Sequence, residues 1–199
     1  MEQIRTLTAF GGSAGTGEYL QLARNLGGEL ASRDITTVYG GGAVGMMGNL
    51  ADGALAAGGS VIGVIPQFMA DAGLAHPKVT DMRIVPNMHT RKALMYDLAD
   101  AFIAMPGGVG TLDECFEVLA WTQLGLLAKP LAFLGVDYWS PLLGFLTTGV
   151  KAGFVRELDR DGIIVVDDTV TALTRLYEWT APEPKNTHPG TENGKGRSS

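Results

Sequence analysis

"FIAMPGGVGTLDECFE", residues 102–117, runs an apolar stretch into Pro-Gly-Gly, then Gly-Thr, and opens a helical pattern with two acids. A strand ending in a glycine loop that continues into a helix is the first half of a βαβ unit. "FGGSAGTG" (10–17) and "YGGGAVGMMG" (39–48) repeat the same grammar. Around them, short apolar runs alternate with helical periodicity along the whole chain. The pattern predicts strands over 5–10, 36–39, 60–65, 82–85, 101–105, 130–134 and 163–166. It predicts helices over 16–32, 43–58, 88–99, 111–123, 138–150 and 168–179. Runs such as "SVIGVIP" and "AFIAM" are continuously apolar, as strands are when helices cover both sheet faces. The expectation is one α/β domain over residues 1–180, a Rossmann-like, doubly wound parallel sheet in three layers. The tail "APEPKNTHPGTENGKGRSS" (181–199), which includes His188, has almost no apolar residues and is expected to be mobile.

At 199 residues and 46% hydrophobic, the chain can bury a substantial core. Its net charge of −6 gives no broad field for nucleic acid or an anionic membrane, so an anionic ligand must be held locally. The lone cysteine, Cys115, excludes an internal disulfide and fits a cytoplasmic setting. The start "MEQIRTLTAF" lacks a signal-peptide pattern, and no apolar run reaches the ~18 residues of a membrane span. Glycine, at 28 residues, is about twice its usual ~7% share. Many of these glycines follow strand-like runs, which points to binding loops.

In an open parallel sheet, ligands sit outside the carboxyl ends of the strands, and all three glycine loops fall there. The middle loop holds a G-x-G-x-x-G in Gly40, Gly42 and Gly45. A dinucleotide site also needs an acid at the end of the next strand, and "GVIPQF" offers none. The first loop, Gly11-Gly12-Ser13-Ala14-Gly15, matches the G-x-S-x-G elbow of serine hydrolases. Neither His76 nor His89 follows a late strand, where a triad would want its base. Ser13 reads either as a hydroxyl donor to phosphate or ribose, or as a turn serine.

In the third loop, the amides of Gly107, Gly108 and Gly110 can form an anion-cupping nest at a helix N-terminus. No Gly-Lys-Ser/Thr follows, so this is not a Walker loop. Thr111 and Glu114 have capping-box spacing, so Glu114 reads equally as a cap and as a catalytic carboxylate. Arg91 heads the apolar stripe of Leu94, Met95 and Leu98, in a first turn capped by Asn87. A cation there opposes the helix dipole and calls for an anion, either Glu114 or a bound phosphate. Lys92, by its position alone, reads as solvent-facing.

These residues resemble the Lonely guy (LOG) family of cytokinin-activating phosphoribohydrolases, a family also labelled lysine decarboxylase. "PGGVGTLDE" (106–114) matches P-G-G-x-G-T-x-x-E, and "MHTRK" (88–92) is similar to the family's M-H-x-R-K. "VYGGGAVGMMG", "VIGVIP", "ADAFIAMPGG" and "WTQLG…KP" follow the family's order, from about residue 6 to about 155. The resemblance implies hydrolysis of the N-glycosidic bond of an adenosine 5′-monophosphate, preferentially N6-prenylated, to free base and ribose 5-phosphate. It assigns Arg91 and Glu114 as the catalytic pair and Gly107, Gly108, Gly110 and Thr111 as the phosphate loop. Gly12, Ser13, Gly41, Gly42, Met88 and Lys92 are expected to complete the substrate site. It further implies a homodimer with the site near the interface, and neither metal nor organic cofactor. The alternative on the same fold is a non-catalytic carrier of a nucleotide or molybdenum cofactor. Two positions depart from the family: Thr90 replaces a usual glutamate, and Leu127 a frequent histidine.

Breaking a ribosyl–adenine bond passes through an oxocarbenium-like state, as glycoside hydrolysis does. Glu114 could stabilise that cation, orient ribose hydroxyls, or take a proton from water. Arg91, always charged, is suited to keeping Glu114 ionised or to anchoring phosphate or ribose. Met46 and Met88 are candidates to meet the adenine, and read equally well as core filler. Pyridoxal phosphate chemistry needs a Schiff-base lysine, and no lysine in the sequence stands out for it.

Overall fold

All seven expected strands form, and they join in one sheet ordered β4-β3-β2-β1-β5-β6-β7 with every neighbouring pair parallel. The structure, a computed structural model, describes residues 4–182; the expectation for the tail beyond them, including His188, lies outside the described residues. The strands are β1 Thr6–Phe10, β2 Thr36–Tyr39, β3 Val61–Pro66, β4 Asp81–Val85, β5 Ala101–Ala104, β6 Leu131–Leu134 and β7 Ile164–Val166. The helices are α1 Gly17–Ser32, α2 Gly45–Ala56, α3 Gln67–Asp71, α4 Met88–Leu98, α5 Val109–Gln123, α6 Val136–Lys151, α7 Glu157–Asp161 and α8 Thr169–Glu178. The five-residue helices α3 and α7 carry too few turns to show periodicity, and the sequence did not announce them.

Side chains along each strand divide between two cores, because successive residues point to opposite sheet faces. Leu7, Ala9, Ala101, Ile103, Ala132 and Leu134 join the core shared with α1, α2 and α8. Phe10, Phe102, Ala104, Leu131 and Phe133 join the core shared with α4, α5 and α6. The result is the expected three-layer, doubly wound sheet. Some of the glycine surplus serves packing and not binding. A Cβ on Gly27 would lie 2.1 Å from Leu50 O, and one on Gly53 2.1 Å from Arg24 O, so bare backbone lets α1 and α2 touch. On the other face, buried Thr8 donates its hydroxyl to Met95 O at 2.9 Å and ties α4 to β1. Among the described residues, no helix is long and apolar enough to cross a membrane.

Strands β1 to β4 step outward on one side of β1, and β5 to β7 on the other. The order therefore reverses between β1 and β5, whose diverging loops leave the crevice in which such sheets bind ligands. The first and third glycine loops are those two loops.

Candidate active site

Arg91 is placed by the cap of its own helix. Asn87 Oδ1 accepts from Thr90 N–H at 2.9 Å and from the Thr90 hydroxyl at 3.1 Å, so the threonine at the family's glutamate position still supports the N-cap. From the first turn, the guanidinium reaches back across the strand ends. Its Nε donates to Val64 O at 3.1 Å and its Nη2 to Gly40 O at 3.2 Å. A Cβ on Gly40 would stand 1.7 Å from Nη2, so the middle loop's first glycine is the seat of this arginine. Nη1 is left 3.6 Å from Glu114 Oε1. Met88 lies beside it with Sδ 4.0 Å from Nη1 and is partly exposed.

Glu114 enters from α5, which begins earlier than the capping-box spacing indicates. Gly108 is the N-cap, without a side-chain cap bond, so Thr111 lies inside the first turn and the Thr111–Glu114 box does not form. Leu112 N–H is bonded to Gly108 O at 3.0 Å. The amides of Val109, Gly110 and Thr111 precede it and have no carbonyl a turn back, which leaves them as donors at the positive helix end. Glu114 is only 8% exposed. Burial pushes its carboxyl up to about 7, with Asp113 and Glu117 adding to the rise, against the opposing pull of Arg91 and Lys92. Arg91 is thus a restraint on this carboxyl rather than its master. A group titrating near neutrality can both accept and return a proton.

The three loops converge. Gly12 N–H donates to Pro106 O at 3.0 Å, and a Cβ on Gly107 would stand 2.2 Å from Thr111 Oγ1 and 2.9 Å from Gly12 N. Gly45, at φ +64°, adopts a backbone that side chains rarely allow, and its missing Cβ makes room for Ser13 O, which would lie 2.0 Å away. Ser13 is exposed at the loop tip. Gly42, Gly108 and Gly110 face open space, where an added Cβ would meet nothing within 4 Å. Gly41 is buried beneath the loop, and its carbonyl accepts from His76 N–H at 2.9 Å.

Other expectations change. Met46 is 1% exposed and belongs to the first core, so it is packing and not an adenine contact. Lys92 is not solvent-facing: its side chain is 12% exposed and pairs with Asp113 and Glu117. His76 is buried, accepting from Lys78 N–H at 3.2 Å and lying 3.3 Å from Asp52 Oδ1, which leaves the G-x-S-x-G loop without a free base from that residue. Leu127 packs against the second core. Tyr138, which the sequence reading missed, donates its hydroxyl to Gly107 O at 2.7 Å and so braces the third loop. Adjacency of β5 and β6 is the only signal that could have placed it there. Among the described residues, no three His, Cys, Asp or Glu side chains gather as metal ligands.

Comparison with known proteins adds a second line. A family model described as "possible lysine decarboxylase" matches residues 47–176. The cytokinin riboside 5′-monophosphate phosphoribohydrolase of Rhodococcoides fascians is 44% identical over 176 residues, covering 86% of this chain and 89% of that one. LOG3 of Arabidopsis thaliana, named for the same activity, is 42% identical over 183 residues, covering 90% and 85%. Among solved structures, the molybdenum cofactor carrier protein of Chlamydomonas reinhardtii aligns with a TM-score of 0.68 at 21% identity, over 88% of this chain and 98% of that one. At that identity, the likeness speaks to fold alone.

Proposed function

The chain belongs to the Lonely guy (LOG) family, and from that premise we propose that it is a phosphoribohydrolase acting on adenosine-type nucleoside 5′-monophosphates, cytokinin ribosides among them. Water adds to the anomeric carbon, the bond from that carbon to the base nitrogen breaks, and one water proton ends on the departing base. The products are free base and ribose 5-phosphate. The observation that carries this reading is half-buried Arg91 paired with buried Glu114, which stands on α5 behind that helix's N-terminus.

The 5′-phosphate is taken by the amides of Val109, Gly110 and Thr111, with Gly107 and Gly108 giving it backbone access. Gly12, Ser13 and Gly42 close the site from the neighbouring loops, and Gly41 acts beneath them by holding the 74–76 segment. Holding the remote phosphate positions the bond to be broken. Glu114, as carboxylate, faces the cationic ribose of the transition state and accepts the proton of the attacking water. Arg91 fixes its geometry from Gly40 and Val64. Exposed Met88 faces the base. The enzyme works as a cytoplasmic homodimer with the site near the interface, in line with the resemblance.

Neither of the two partly buried lysines among the described residues suits the lysine decarboxylase description. Lys92 is held by two carboxylates, and Lys129 Nζ donates to Tyr96 O at 2.8 Å, so neither is poised as a Schiff-base amine. The carrier alternative has only the fold likeness behind it.

The test is to incubate the protein with AMP and with isopentenyladenosine monophosphate and to follow release of free base by chromatography. Base release that disappears in Glu114→Gln supports the reading. Tight binding of either nucleotide without cleavage supports the carrier.

A further inference from the structure

Beside the Arg91–Glu114 pair, α4 and α5 are joined by a second set of contacts. Lys92 Nζ lies 3.0 Å from Asp113 Oδ2 and 2.9 Å from Glu117 Oε2. Tyr96, one turn along α4, donates its hydroxyl to Glu117 Oε2 at 2.8 Å and lies 3.3 Å from the carbonyl oxygen of Glu114 itself. Every member of this cluster is chained to the reacting pair: Lys92 follows Arg91, Asp113 precedes Glu114, and Glu117 stands almost one turn beyond it. One ammonium between two carboxylates also leaves a net negative charge next to Glu114. The charged groups acting on that carboxyl are Arg91 and Lys92 from α4, and Asp113 and Glu117 from α5.

We propose that Lys92 is a positioning residue: by clamping Asp113 and Glu117, it sets the distance between Arg91 and Glu114 and offsets the field that two carboxylates impose on Glu114. Its role in turnover rests on the phosphoribohydrolase reading. It also departs from the expectation that Lys92 binds substrate, because its ammonium is already engaged. Loss of Lys92 leaves two uncompensated anions near Glu114, so the carboxyl should hold its proton to higher pH. Loss of the Glu117 charge should do the reverse. The two changes break the same contact between helices but carry opposite electrostatic signs.

The experiment titrates the 13C-labelled Glu114 carboxyl by NMR in the wild type, Lys92→Gln, Glu117→Gln and Lys92→Arg, with Glu114→Gln assigning the resonance. The pH dependence of kcat on AMP is measured in parallel. The midpoint should rise by roughly one pH unit in Lys92→Gln, fall in Glu117→Gln, and stay at the wild-type value in Lys92→Arg. The acid limb of kcat should follow. A clamp that only braces the fold would move both glutamine variants the same way or not at all, and either result overturns the proposal. Should Lys92→Gln fail to fold, an unchanged or raised midpoint in Glu117→Gln overturns it alone. Midpoints that move as expected in a wild type that releases no base uphold the clamp and sink the phosphoribohydrolase reading.

Discussion

A large cavity on the far side of α5 and the glycine cleft are different places. The cavity, about 900 Å³, lies among α5, α6, α7 and α8 and is lined by Phe116, Leu119, Leu146, Leu158, Ile163 and Trp179. Two of its polar lining groups are matched to each other: Gln123 Nε2 donates to Asp159 Oδ2 at 2.9 Å, and Arg156 Nε donates to the same oxygen at 2.7 Å. In the cleft, by contrast, Glu114 is buried with one ion contact at 3.6 Å, beside helix amides that have no carbonyl of their own. Volume measures room, whereas reactivity comes from polar groups that burial leaves incompletely matched.

The sharpest way to break this contrast is Glu114→Gln. It should lower kcat by roughly 10²–10⁴-fold while the protein stays folded, as read by base release and circular dichroism. Arg91→Ala should cost about 10²-fold. Gly40→Ala should follow it in direction, because the new methyl would occupy the guanidinium's place.

The third effect is on stability. The Glu114 carboxyl sits at about 7 when folded against 4.5 as its ordinary value. A raised carboxyl contributes stability that is fully present below the unfolded pKa and is lost as pH climbs through the folded one. Between pH 4.5 and 7, wild type should therefore lose up to about 3 kcal/mol relative to Glu114→Gln, measured by urea unfolding across that range. The same titration predicts that turnover falls as pH drops below about 7, since the carboxylate is the working form.

Smaller still, Tyr138→Phe removes one hydrogen bond from the third loop. It should raise KM for the nucleotide about fivefold, consistent with ~1 kcal/mol, with little change in kcat. Leu158→Ala, in the large cavity, should leave kcat/KM within about twofold. A collapse of activity there would overturn the contrast.

The fold was legible because continuous apolar strands and glycine-ended loops record burial on both sheet faces, and seven strands appeared within a residue or two of their expected positions. The pairing of Arg91 with Glu114 was legible as one of two alternatives, since a cation in a helix's first turn calls for an anion, either that carboxylate or a bound phosphate. What stayed hidden depends on distance in space. The start of α5 at Val109 removes the capping box, and the choice of Gly108 as cap leaves no side-chain signature. The clamp on Lys92 and the brace from Tyr138 join elements far apart in the chain, with no spacing rule to announce them. Met46, whose place after a glycine loop left ligand wall and core filler equally open, is core.

The most direct test compares kcat/KM for isopentenyladenosine 5′-monophosphate with that for the same nucleoside lacking its phosphate, by release of free base. The account predicts efficient hydrolysis of the nucleotide and a loss of several orders of magnitude for the nucleoside, because the amides at the head of α5 position the bond through the phosphate. Equal rates on both substrates, or no base release from either, would contradict it.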